Sequence, residues 1–268
     1  MTADSPVVNA YGCLFAVPYR GAMAVRELWL ARHGESIGNV AATRAEAEGL
    51  EAIPLDIRDA DVPLSDTGRE QAAALGDWLA PRRADIDSYW VSPYLRARET
   101  LAIALGDGAL GEGAPGQAVV IDERLRDREL GILDLLTRRG VARRHPEEAL
   151  RRQHLGKFYH RPPGGESWAD VAFRLRSVLR EIVDGPGERA LLVAHDAVVM
   201  LVLYVLLPLR EEELLDFAQG HVVLNASVTH LVHGEQGWEL AAFSDVDHLR
   251  REGADVTAHP GSPDVQPE

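Results

Sequence analysis

Glu27-Leu-Trp-Leu-Ala31, followed at once by Arg32-His33-Gly34-Glu35-Ser36, is the stretch that decides the fold. A short apolar run that breaks abruptly into charge and glycine has the length of a buried strand and shows where it ends. The pattern returns at Ala190 to Ala194, which stops at His195-Asp196. Two buried strands therefore each deliver a histidine at their carboxyl end.

Outward from these strands, strand and helix patterns alternate. Asp66 to Leu79 predicts an amphipathic helix capped by Ser65 or Asp66 and closed by Pro81. Ser88 to Val91 predicts a second strand, ended by Ser92-Pro93 before a helix over Tyr94 to Leu105 that carries Arg96 and Arg98. Ala118 to Ile121 predicts another strand. Arg138 to Tyr159 and Glu166 to Val183 predict helices, as does the run from Ala197. Val222 to Val232 and Trp238 to Phe243 predict late strands around a turn at His233 to Gly237. The expected fold class is α/β: a three-layer α/β/α sandwich on a mostly parallel mixed sheet. Ligands in such folds sit beyond the carboxyl ends of the strands. Residues 1–24 are expected to be an N-terminal extension, 25–248 the domain, and 249–268 a disordered tail, with no chemistry at either end.

Composition narrows the function classes. The formal net charge of −14 argues against general affinity for nucleic acid or an anionic membrane. Within that acidic chain, Arg138 to Arg161 holds eight Arg and Lys against Glu147 and Glu148, either an anion-recruiting patch or a solvated helix face. Cys13 is the lone cysteine, so no intrachain disulfide forms, which suits a reducing, cytoplasmic setting. The start shows no secretory pattern, and the apolar run from Ala190 to Leu207 is interrupted by His195-Asp196, as a strand and helix would be, not a membrane span. His145, His154 and His160 have no companion cluster of Cys or Asp, so no metal site is expected.

Two imidazoles and at least one guanidinium aimed at one crevice suit phosphoryl transfer, where catalysis is mainly positioning and charge stabilisation. Arginine forks match phosphoryl oxygens in bidentate geometry, and a neutral imidazole attacks phosphorus to form a covalent intermediate. Gly34 is expected to let the backbone approach the phosphate, and Asn39 to add donors.

Leu30-Ala-Arg-His-Gly-Glu-Ser-Ile-Gly-Asn39 resembles the signature of the histidine phosphatase superfamily, whose best-known branch is phosphoglycerate mutase-like. Five further segments resemble the family in order: Asp61 to Ala72, Ser92 to Thr100, Arg124 to Gly131, Pro163 to Ser167, and Leu192 to His195. One R-H-G is weak evidence; six motifs in register are strong. The resemblance implies His33 as nucleophile, with Arg32, Arg96 and His195 clamping the phosphoryl oxygens and Asn39 contributing. It implies a general acid at Asp127, where the family usually has glutamate, with Glu129 as the fallback. Asp196 stands where glycine is common; it is expected to cap the following helix, and its charge either repels dianionic substrate or raises the pKa of His195. Gly68, Gln71 and Thr100 are expected to be structural parts of their helices.

Three functions stay open at this point. The leading one is a metal- and cofactor-independent phosphatase that hydrolyses phosphate monoesters of small molecules through a phosphohistidine on His33. The second is a phosphomutase of the phosphoglycerate mutase type, and the third a weakly active module that binds phosphorylated ligands. Nucleic-acid and membrane partners are not expected, and a homodimer is possible.

Overall fold

The computed structural model describes residues 25–106 and 118–259. Six strands form one sheet: β1 (Glu27–Arg32), β2 (Ser88–Val91), β3 (Ala118–Ile121), β4 (Arg189–Ala194), β5 (Val228–Gly234) and β6 (Gly237–Asp245). Their order is β3-β2-β4-β1-β5-β6. The first four run parallel, while β5 and β6 pair antiparallel. The predicted mixed, mostly parallel sheet is therefore observed.

The helices are α1 (Ile37–Ala47), α2 (Asp66–Leu79), α3 (Leu95–Leu105), α4 (Arg138–Arg144), α5 (Pro146–Tyr159), α6 (Trp168–Val183), α7 (Asp196–Leu206), α8 (Glu211–Gly220) and α9 (Asp247–Glu252). Side chains alternate across a strand, and both faces of this sheet are covered. On one face, Leu28, Leu30, Leu192 and Ala194 pack with Leu175, Leu179, Val199 and Leu203 of α6 and α7. On the other, Trp29, Ala31, Leu191 and Val193 pack with Leu75, Leu79, Ala97 and Leu101 of α2 and α3. Two apolar layers clamp β1 and β4, so the residues after each strand leave the same edge of the sheet. No helix among the described residues is long and apolar enough to cross a membrane.

Three expectations change. The basic stretch 138–159 is two helices, because Pro146 lacks the N–H a continuing helix needs and His145 leaves helical geometry. The strand expected from Val222 begins at Val228; Val223 to Ser227 form a turn that runs under the loop after β1, with Ala226 N–H donating to His33 O (3.2 Å). The disordered tail expected from 249 is ordered through His259. Leu249 is fully buried in α9, Gln71 Nε2 donates to Asp255 O (2.8 Å), and Asn225 N–H donates to Thr257 O (3.2 Å). Gly, Pro and Asp composition hid an apolar anchor followed by main-chain pairing. The expected N-terminal extension, the lone Cys13 and residues 260–268 lie outside the described residues.

Candidate active site

His33 and His195 leave the carboxyl ends of β1 and β4, which pair directly, with Arg32 opposite Ala194. Their rings meet edge to face with centroids 5.1 Å apart, and both are buried. The loop bearing His33 is held by neighbouring helices. Thr100 Oγ1 accepts the Gly34 N–H (3.0 Å) and Gln71 Oε1 accepts the Glu35 N–H (2.8 Å). A Cβ on Gly68 would lie 1.9 Å from Glu35 O, and one on Gly34 would lie 2.5 Å from Gly68 O. Gly34 is thus required by backbone packed against α2. Gly68, Gln71 and Thr100 support the loop that carries His33, and not only their own helices.

The tautomer of His33 follows from one hydrogen bond. Nδ1 lies 2.7 Å from Gly34 O, and a carbonyl only accepts, so Nδ1 carries the hydrogen and Nε2 keeps a lone pair. Burial first, then Arg96, His195 and Arg32, push the His33 pKa well below its ordinary value. The ring is neutral at physiological pH, the form a nucleophile needs. Burial, then Arg96, Arg174 and Arg32, also push His195 well down, so the rise expected from Asp196 does not occur. His195 Nε2 meets Ser92 Oγ at 2.8 Å. Its Nδ1 lies 3.3 Å from Asp127 Oδ2 without hydrogen-bond alignment.

The arginines converge on the same place. Arg96, in the first turn of α3, is bidentate to the Asp59 carboxylate (2.9 and 3.3 Å) and donates to Asp127 Oδ2 (3.0 Å). Arg98 on the same helix is exposed. Arg32 donates Nη1 to Val223 O and Nη2 to His259 O, both at 2.6 Å, while its buried Nε has no partner. Asn39 is the third residue of α1; its Oδ1 accepts the Ser36 N–H (3.1 Å), which orients its amide beside the cavity. Asp196 is the first residue of α7 and accepts the Ala197 N–H (2.7 Å); its charge stabilises the Arg32 cation. Arg32, His33, Asn39, Arg96 and Asp127 line one cavity of about 440 Å³, and Glu129, which accepts the Tyr94 hydroxyl (2.9 Å), lines it too. The general acid expected at Asp127 therefore lies closer to the paired histidines than the Glu129 fallback.

Three participants escape a sequence reading. Asp59 sits in a stretch without periodicity. Arg174 of α6 spans Arg124 O (2.5 Å), Asp127 O (3.0 Å) and Glu166, and so fixes the loop that presents Asp127. His259 donates Nε2–H to Glu35 Oε2 (2.7 Å) and presents its carbonyl to Arg32. Nothing in the pattern around these three marks them.

The basic segment 138–161 divides. Arg143 and Arg144 pair with Glu51, Arg151 with Glu148, and Arg161 with Asp170. Arg138 and Lys157 line the cavity. His160 is buried with Nε2 donating to Glu148 (3.0 Å), a structural histidine. No group of three or more metal-ligating side chains gathers among the described residues.

Known proteins are similar to this chain in sequence and in fold. A glucosyl-3-phosphoglycerate phosphatase of Mycolicibacterium vanbaalenii is 33% identical over 195 residues, 70% of this chain and 76% of that protein. A probable phosphoglycerate mutase of Erwinia tasmaniensis is 30% identical over 233 residues, 83% of this chain and 94% of that protein. The structure of a mycobacterial glucosyl-3-phosphoglycerate phosphatase with inorganic phosphate superposes with a TM-score of 0.62 at 25% identity, covering 84% of this chain and 99% of that one. The relatives thus include both phosphatases and mutases. The family model for the histidine phosphatase superfamily, branch 1, matches residues 28–246 and so spans both strand-end histidines and Asp127. The chain belongs to that superfamily.

Proposed function

We propose that the protein hydrolyses phosphate monoesters of small molecules, with the phosphoryl group passing through a covalent intermediate on His33 Nε2. The observation that carries this reading is the 2.7 Å contact of His33 Nδ1 with Gly34 O, which leaves Nε2 unprotonated near the Arg96 and Arg32 charges. Arg32, Arg96 and His195 would receive the phosphoryl oxygens, with Asn39 adding a donor. The Nε2 lone pair forms the bond to phosphorus as the bond to the leaving oxygen breaks. Asp127 supplies the proton to that oxygen. Water then attacks phosphorus, Asp127 takes its proton, and the P–N bond breaks to release inorganic phosphate and restore neutral His33.

Turnover of p-nitrophenyl phosphate, with a trapping assay for acid-labile labelled phosphoprotein, tests the proposal. His33→Ala is expected to lose both label and turnover, and a chelator is expected to change neither. A fully active His33→Ala variant refutes it.

A mutase uses the same intermediate but returns the phosphoryl group to a sugar acid, and the 30% identity to a probable phosphoglycerate mutase keeps that reading in view. Labelled phosphate offered to water and to 3-phosphoglycerate separates the two. We expect free phosphate; label recovered in the sugar acid alone would establish the mutase.

A further inference from the structure

A cavity of about 440 Å³ far exceeds the space of a phosphoryl group, which is comparable to a few water molecules at roughly 30 Å³ each. Most of the volume therefore belongs to whatever the phosphate is attached to. Away from the phosphoryl-directed residues, the wall is apolar along Ile53, Leu55, Leu130, Leu135 and Leu136. It is built from two segments that brace each other: Ile53 N–H donates to Leu135 O (2.8 Å), and Ala52 bridges to Leu136. Leu135 holds φ at 55°, a left-handed conformation a branched residue adopts at a cost, so its placement is imposed by this pairing.

The charges on the rest of the wall are already engaged. Arg138 donates its N–H to Glu46 Oε1 (2.8 Å), and its guanidinium lies 3.8 Å from Glu46 Oε2. Arg128 donates to the main-chain carbonyls of Glu166 (2.7 Å) and His160 (3.4 Å). Lys157 sits over the Trp168 ring at 4.5 Å, a cation–π contact. Asp134 and Glu129 add carboxylates that face the same space, and Asp134 accepts the Leu135 N–H (3.0 Å). Burial, with the Glu129 charge adding to it, raises the Asp134 pKa. A second phosphate or a carboxylate on the substrate would meet these acids.

We propose that the leaving group is a bulky, largely apolar alcohol that carries no second anionic group. The inference rests on the phosphatase reading of the same cavity, and it separates this chain from a mutase that must hold a bisphosphorylated ligand. Apolar area removed from water drives binding along the leucine wall, and like charge at Asp134 rejects an anionic body.

The test uses three phosphates of primary alcohols, so that intrinsic leaving-group chemistry is similar: 2-phenylethyl phosphate, glycerol 3-phosphate and 3-phosphoglycerate. The wild type is expected to rank them in that order by kcat/KM, each step about tenfold. Asp134→Asn is expected to raise kcat/KM for 3-phosphoglycerate severalfold relative to glycerol 3-phosphate, through KM. A wild type that prefers 3-phosphoglycerate, or an Asp134→Asn variant with an unchanged ratio, overturns the proposal. Calorimetric binding of the three compounds to His33→Ala tests the wall without turnover: the same order supports it, and an equal or reversed order overturns it. If the wild type hydrolyses none of them and forms no phosphoprotein, the phosphatase reading fails on its own, while the binding order still decides the wall.

Discussion

The two ends of the cavity are built in different ways. The phosphoryl end stands on regular structure: His33 and His195 follow β1 and β4, and Arg96 opens α3. Two apolar layers fix those strands, so the groups that would meet phosphorus sit where the core puts them. The apolar part of the wall that would meet the leaving group is made of loops and short 3₁₀ turns, at 50–61 and 126–137, held by hydrogen bonds and ion pairs. Loops accept sequence change at low cost to the fold, whereas strand ends do not. On the proposed function, one end holds the chemistry constant and the other is free to choose the substrate. Relatives that include both phosphatases and mutases are what such a division produces.

The comparison breaks if changes at the strand ends prove no more damaging than changes in the loops. The largest effect is expected from His33→Ala, with loss of kcat by about a thousandfold or more on any ester. Asp127→Asn is expected to lower kcat by about a hundredfold or more on alkyl phosphates, and by much less on p-nitrophenyl phosphate, whose leaving oxygen needs little protonation. Equal losses on both would move the acid role elsewhere, with Glu129→Gln the next variant to assay.

Gly68→Ala sharpens the contrast through stability. Its Cβ would sit 1.9 Å from Glu35 O, and overpacking of this kind costs about 1–3 kcal/mol. Denaturant melts should show that loss together with reduced kcat, because the displaced backbone is the one that carries His33; a variant as stable as the wild type would mean the loop is looser than its packing implies.

The buried histidines predict a pH dependence. His33 and His195 have folded pKa values below the unfolded value near 6.5, so between those two values the unfolded chain binds more protons than the folded one. Stability is full above about pH 6.5 and falls as pH drops below it, by up to about 1.4 kcal/mol per pH unit for each histidine. His160, His230 and His248 are lowered by burial as well and share the slope. Thermal melts from pH 8 to pH 5 should show the decline, and replacing His33 and His195 with Gln should flatten it; an unchanged slope would assign the effect to the other three.

The smallest effect is expected from His259→Ala. The His259 carbonyl that receives Arg32 Nη2 survives the change, but the side chain's tie to Glu35 is lost, so a rise in KM of about threefold with kcat kept is the expected result. A large fall in kcat would place His259 among the catalytic groups.

Sequence alone determined the phosphoryl end. Apolar runs that stop at Arg32-His33 and His195 carry their meaning locally, because a buried strand needs a continuous apolar run and its end is marked by the first charge. The place of Asp127 was legible only by register with the family motif, and Gly68, Gln71 and Thr100 were legible as structural parts of their helices without their partner loop. Tertiary structure decided the rest. Asp59 on Arg96, Arg174 beneath the Asp127 loop, and His259 on Arg32 join residues 37, 47 and 227 positions apart. No local pattern encodes such a pair, since a polar side chain in a loop gains its role only from what the folded core brings beside it. The same holds for much of the basic segment, where the choice between cavity wall and surface ion pair was made by the Pro146 break and by the Glu51 carboxylate that α4 faces.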